Sequence, residues 1–143
     1  MREVLPRLLW IGNARDARDF NQVLDLGITA VIDLAWEEPP ISYPREIVYC
    51  RLPLIDGDEN QTVVLQTALT TAARFISADL PTLVACSAGM SRSPAIVAGA
   101  LSLVHDCPFS TALQQVAAAG PCDVAPGLWN EIQQLLEKTE PGS

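Results

Sequence analysis

The sequence predicts an α/β fold, a central, mostly parallel sheet of roughly four to five strands flanked by helices. Two observations predict it. Short β-branched or apolar runs alternate along the chain with longer stretches whose apolar residues keep helical spacing. The run Ile28–Leu34 is rich in β-branched residues and Thr82–Ala85 is short and apolar, as strands of a sheet covered on both faces are.

In chain order, Leu8–Ile11 is a first short apolar run, punctuated by the turn residues Gly12 and Asn13. Asp16 is expected to cap a helix that carries Phe20, Val23 and Leu24 on one face and stops at Gly27. Ile28–Leu34 reads as a buried strand. Glu37–Pro44 holds Pro39, Pro40 and Pro44 and reads as a loop, Glu46–Leu52 as the next strand, and Pro53–Gln61 as a polar turn. Thr62 is expected to cap a longer helix whose buried positions are Leu65, Ala68, Leu69, Ala72 and Ile76. Thr82–Ala85 follows as a short strand, and Ser93-Pro94 opens a helix that runs to about His105. Two further helices are predicted, near Ser110–Ala118 and near Gly127–Lys138, the latter burying Leu128, Trp129, Ile132, Leu135 and Leu136. The reading is one domain over 1–143, with a disordered tail from about 138 to 143.

Composition narrows the function. Nine Lys and Arg against 17 Asp and Glu leave a net charge of −8. Nucleic acid and anionic membranes reward clustered positive charge, so neither is an expected partner. The 49% apolar content is that of a globular chain. The longest apolar run, Ala95–Val104, falls far short of the roughly 20 residues of a spanning helix. Arg2, Glu3 and Arg7 stand where an export signal would be apolar, so a soluble, cytoplasmic, monomeric protein is expected. Cys50, Cys86, Cys107 and Cys122 form no Cys-x-x-Cys pair, and the single histidine, His105, leaves too few ligands for a usual zinc site. Reduced thiols and no metal are therefore expected. With one histidine, a histidine-based triad would have to use His105, so acid–base chemistry falls to carboxylates.

The chemistry concentrates in Leu83-Val84-Ala85-Cys86-Ser87-Ala88-Gly89-Met90-Ser91-Arg92-Ser93-Pro94. A buried strand runs into a loop of small residues, and the loop into a helix N-terminus, where unpaired N–H groups and the helix dipole favour an anion. The same field favours a thiolate at Cys86. Arg92 can fork two N–H bonds onto two phosphate oxygens, and Gly89 permits the positive φ of a curled loop. The bland alternative is a buried, inert cysteine.

Cys86 to Arg92 followed by Ser93 resembles the signature loop of the cysteine-dependent protein phosphatases, in particular the compact dual-specificity phosphatases. The segments Leu8-Leu9-Trp10-Ile11-Gly12, Leu26 to Leu34 and Leu52-Pro53-Leu54-Ile55-Asp56 are similar to other parts of that family, in the right order, from about Leu5 to Leu136. The resemblance implies a metal-independent phosphomonoesterase with a phosphocysteine intermediate and no cofactor. Cys86 would be the nucleophile; Ser87, Ala88, Gly89, Met90, Ser91 and Arg92 would bind the phosphate. Ser93 would donate to the sulfur, and Asp56, or alternatively Asp58, would be the general acid. Asn60 and Gln61 are read as polar loop residues with a weaker claim to positioning water.

Two positions depart from the family pattern. Ala85 stands where a histidine usually precedes the nucleophile, which predicts a looser loop and a less favoured thiolate. Gly127 follows Pro126 where many relatives carry an asparagine bonded to the loop. The uncharged loop side chains argue against inositol lipids, leaving phosphorylated proteins or small aryl phosphates as substrates. Alternatives are a phosphate-recognition module without turnover and a rhodanese-like sulfurtransferase, which also uses a Cys-initiated anion loop. His105 is read as meeting a helix end or solvent, Cys50 as a strand residue, Trp10, Trp36 and Trp129 as core or loop anchors, and Arg15 and Arg18 as a solvated face.

Overall fold

The apolar runs assemble into one sheet in the computed structural model, which describes residues 1–139. Its strands are β1 (Arg2–Leu5), β2 (Leu9–Gly12), β3 (Ala30–Ala35), β4 (Val48–Leu54) and β5 (Thr82–Ala85). Their order across the sheet is β1-β2-β5-β3-β4. β5 pairs parallel with β2 and β3, and β3 pairs parallel with β4; only β1 is antiparallel. The expected mostly parallel α/β architecture is present. The helices are α1 (Ala14–Arg18), α2 (Phe20–Asp25), α3 (Thr62–Ser77), α4 (Arg92–His105), α5 (Phe109–Ala119) and α6 (Pro126–Thr139).

β3 and β5 are buried at every position, which is why neither alternates in polarity. Gly12 and Asp33 both lie level with Ala85, so three strand ends form one platform. Ligands of open parallel sheets bind outside such carboxyl ends, and here the chain continues from β5 into Cys86. α4 leaves the platform as a central helix buried from Arg92 to Ser102, apolar nearly all round as a buried helix must be. It packs against α3, α5 and α6 around a core that includes Leu69, Ile96, Leu101, Phe109 and Leu128. A smaller core on the other face gathers Trp10, Val23, Ile28, Val31 and Leu83.

Several local expectations are corrected. The helix expected after Asp16 is two short ones. Asn13, not Asp16, is the N-cap of α1, and Asp16 closes the capping box by accepting the Asn13 N–H at 2.9 Å. Asp19 caps α2, whose Val23 is buried while Leu24 is exposed. Gln61 takes the cap position of α3 without a side-chain bond, and Thr62 is already helical. β1 was not legible, because Arg2-Glu3-Val4-Leu5 is half polar and pairs on one side only. Trp10 is buried and Trp129 stacks on Phe109 with ring centroids 5.5 Å apart, but Trp36 is exposed and anchors no core. Arg18 is not merely solvated: it donates to Ala14 O at 3.0 Å and Pro39 O at 2.8 Å. α6 continues through Lys138 and Thr139, where the expected tail begins; residues 140–143 of that tail lie outside the described residues. No helix among the described residues is long and apolar enough to cross a membrane.

Candidate active site

Cys86 is the first residue after β5 and is 2% exposed, yet it is not packed among apolar groups alone. Its Sγ accepts the N–H of Gly89 at 3.2 Å, so the chain curls back over the sulfur. Gly89 holds φ at +71°, and a Cβ there would stand 3.0 Å from Gly12 C and O. Both the left-handed backbone and the close approach of β2 require glycine at this point.

A loop that aims N–H groups at one point must turn carbonyls outward, and each then needs a donor. Ser87 O accepts from Ala14 N at 3.1 Å, Met90 O from Asp123 N at 2.7 Å and Gly89 O from Arg2 Nη2 at 2.9 Å. The loop is thus braced from three sides, by the start of α1, the α5–α6 connection and β1. Ser91, the cap residue of α4, makes no capping bond with its side chain, so the helix N-terminus keeps unpaired N–H groups facing the loop.

Arg92, the first residue of α4, is 4% exposed. Its Nη1 donates to Glu37 Oε1 at 2.6 Å and to Leu54 O at 2.9 Å, and its Nη2 to Glu37 Oε2 at 2.7 Å. A guanidinium has five N–H groups, so Nε and the second Nη2 proton stay unspent, along the edge that forks onto two oxygens. Glu37 responds in kind. The Arg92 bond, aided by its charge, holds the Glu37 carboxyl at about 2 against the partial burial that raises it. Ser87 lowers it further, although Ser87 Oγ makes no fully formed hydrogen bond. Burial works against the Arg92 charge, but the Glu37 hydrogen bond together with the charges of Cys86, Glu37 and Asp56 keeps the guanidinium more firmly protonated than usual.

The two candidate acids part company here. Asp56 Oδ1 accepts from Ser91 Oγ at 2.5 Å, which brings its carboxylate to the phosphate loop. The same Ser91 Oγ accepts the Ala125 N–H at 2.9 Å, tying the loop to the residue before α6. Asp58 instead packs on α6: a Cβ at Gly127 would lie 2.7 Å from Asp58 Cβ. Gly127 therefore admits the Asp58 turn. Asn60 orders that turn, accepting the Ile55 N–H at 2.7 Å and donating to Ile55 O at 3.0 Å and Gly57 O at 3.2 Å.

Ser93 is buried next to Arg92, but its Oγ has no partner among the described residues and makes no hydrogen bond to Cys86 Sγ. Ala85 faces the smaller apolar core. His105 is exposed at the far end of α4, roughly 20 Å along the helix from the loop. All four cysteines are free thiols, and burial pushes that of Cys50 up. Trp36 and Ile55, the chain neighbours of Glu37 and Asp56, line an open groove of about 460 Å³ with Pro53, Val64, Arg51 and Glu59. Sequence reasoning missed Glu37 and Arg2. Their partners are 55 and 87 residues away, neither lies in a motif, and Glu37 is followed directly by a second acid, Glu38, so nothing in the sequence singles it out.

No protein-family model matches the chain. Dual specificity protein phosphatase 13B of Mus musculus is 31% identical over 146 residues, 94% of this chain and 72% of that protein. Dual specificity protein phosphatase 1B of Arabidopsis thaliana is 31% identical over 140 residues, 94% of this chain and 81% of that one. The crystal structure of human DUSP28 matches with a TM-score of 0.86 at 25% identity, over 100% of both chains. That of a mouse putative dual specificity phosphatase complexed with zinc tungstate matches with a TM-score of 0.83 at 25% identity, over 96% of this chain and 86% of that one. The chain belongs to the dual-specificity phosphatase family.

Proposed function

We propose that the chain is one catalytic domain that hydrolyses phosphate monoesters of proteins, or small aryl phosphates, through a phosphocysteine intermediate and without a metal. Cys86 Sγ attacks phosphorus as the P–O bond to the leaving group breaks, and the Asp56 carboxyl gives its proton to that oxygen. Water then attacks the phosphocysteine, Asp56 takes the water's proton, and the S–P bond breaks to return the Cys86 thiolate and inorganic phosphate. The loop N–H groups and the unspent edge of Arg92 stabilise the equatorial oxygens. Ser93 Oγ, buried and unpartnered, is a donor available to the departing sulfur.

The observation that carries this reading is the Gly89 N–H on Cys86 Sγ at 3.2 Å, on the same loop as Arg92. Asp56 is favoured over Asp58 by its bond to Ser91. The tungstate complex of the mouse relative supports an oxyanion site in that fold, and the Trp36–Ile55 groove offers an apolar surface to the chain that bears the phosphate. The test is turnover of p-nitrophenyl phosphate with and without EDTA, for the wild type and for Cys86→Ser and Asp56→Asn. Activity that survives EDTA and is lost in Cys86→Ser supports the reading. Tight tungstate binding with no turnover would instead make the chain a phosphate-recognition module.

A further inference from the structure

The brace from β1 is the one feature of the loop that neither the motif nor the mechanism uses. Arg2 Nη2 donates to Gly89 O at 2.9 Å and to Pro121 O at 2.8 Å, joining the tip of the loop to the α5–α6 connection. The Gly89–Met90 peptide is trans, so the Met90 N–H points away from the carbonyl that Arg2 holds. That N–H bonds to nothing among the described residues. A cation on the carbonyl polarises the amide and makes the opposite N–H a better donor.

Gly120 gives an independent sign that this contact is built. Its φ of 164° is extended backbone that any residue adopts, so conformation does not demand glycine there. A Cβ at Gly120, however, would lie 2.2 Å from Arg2 Cδ and 2.7 Å from Arg2 Nε. The bare backbone is the passage through which the guanidinium reaches the loop. The passage is so close that Arg2 Nε is buried without a partner, a cost the two carbonyl bonds offset. Meanwhile Ala85, facing the smaller apolar core, offers the loop no hydrogen-bonding side chain.

We propose that Arg2 is a positioning residue of the phosphate loop, holding the Gly89–Met90 peptide so that the Met90 N–H faces a bound oxyanion. The proposal rests on the reading of residues 86–92 as a phosphate loop. It assigns to β1 the loop ordering that Ala85 does not provide.

The test uses the full chain with Arg2→Ala, Arg2→Lys and Gly120→Ala, the last displacing the guanidinium without removing it. Tungstate affinity is measured by calorimetry, and amide hydrogen exchange is followed across the chain. Arg2→Ala and Gly120→Ala should each weaken tungstate binding about tenfold, as loss of a charged hydrogen bond does, with Arg2→Lys recovering part of it. Exchange should quicken at the loop amides while α3 and β3 stay unchanged. Wild-type affinity and exchange in Arg2→Ala would overturn the proposal, as would faster exchange spread evenly over the fold. Should the wild type bind no tungstate, the proposed function fails, and the exchange comparison alone decides whether Arg2 orders the loop.

Discussion

Glu37 grips Arg92 end-on, with oxygen–nitrogen distances of 2.6 and 2.7 Å, and so fixes which edge of the guanidinium is left for a ligand. Glu37→Gln keeps the size of the side chain but removes the charge that orients Arg92. It should lower kcat/KM for p-nitrophenyl phosphate by about tenfold or more, the scale of a lost charge-assisted hydrogen bond. Steady-state kinetics on the purified variant checks this.

The same pair predicts a pH dependence of stability. The folded Glu37 carboxyl sits at about 2 against an ordinary 4.5. A lowered carboxyl stabilises the fold above the ordinary value, and that contribution is lost as pH falls from about 4.5 towards 2. Because the Glu37 side chain is 43% exposed, screening limits the contribution to about 1 kcal/mol. Urea unfolding should show Glu37→Gln less stable than the wild type at pH 7, with the gap closing below pH about 4.5.

Asp56 and Asp58 are separated by what they touch. Asp56→Asn should lower kcat by about 10²- to 10⁴-fold, the usual worth of a general acid. The loss should be larger for phenyl phosphate than for p-nitrophenyl phosphate, whose leaving group needs less protonation. Asp58→Asn should leave kcat within about twofold, as expected for a residue that shapes a surface turn. Paired kinetics on the two substrates distinguishes these outcomes.

Ser91 joins two elements to the loop through one oxygen, donating to Asp56 and accepting from Ala125. Ser91→Ala removes both bonds and leaves the Ala125 N–H short of its partner, at a cost of about 1–3 kcal/mol. Thermal unfolding should register that loss, and kcat should fall with it because Asp56 is released.

How much of this was legible in the sequence differs by element. β5, the loop and α4 are contiguous, so one stretch of sequence states strand, cradle and helix together, and the structure follows it closely. α3 was equally plain because Leu65, Ala68, Leu69, Ala72 and Ile76 repeat at helical spacing, and all five are buried. The cap falls on Asn13 and Asp19 rather than on the expected Asp16 because three polar residues near one another could each cap a helix, and only the backbone turn between α1 and α2 decides. Glu37, Arg2 and Gly120 carry no local pattern at all. Their meaning arises when the chain returns to the loop from a distance, which no periodicity encodes.

The central claim is that Cys86 becomes covalently phosphorylated. Rapid acid quenching of the enzyme during turnover of an aryl phosphate, followed by peptide mass spectrometry, tests it most directly. Phosphate is expected on the Cys86 peptide, and neither that adduct nor turnover in Cys86→Ser. Turnover that proceeds undiminished in Cys86→Ser, with no phosphorylated cysteine in the wild type, would contradict it.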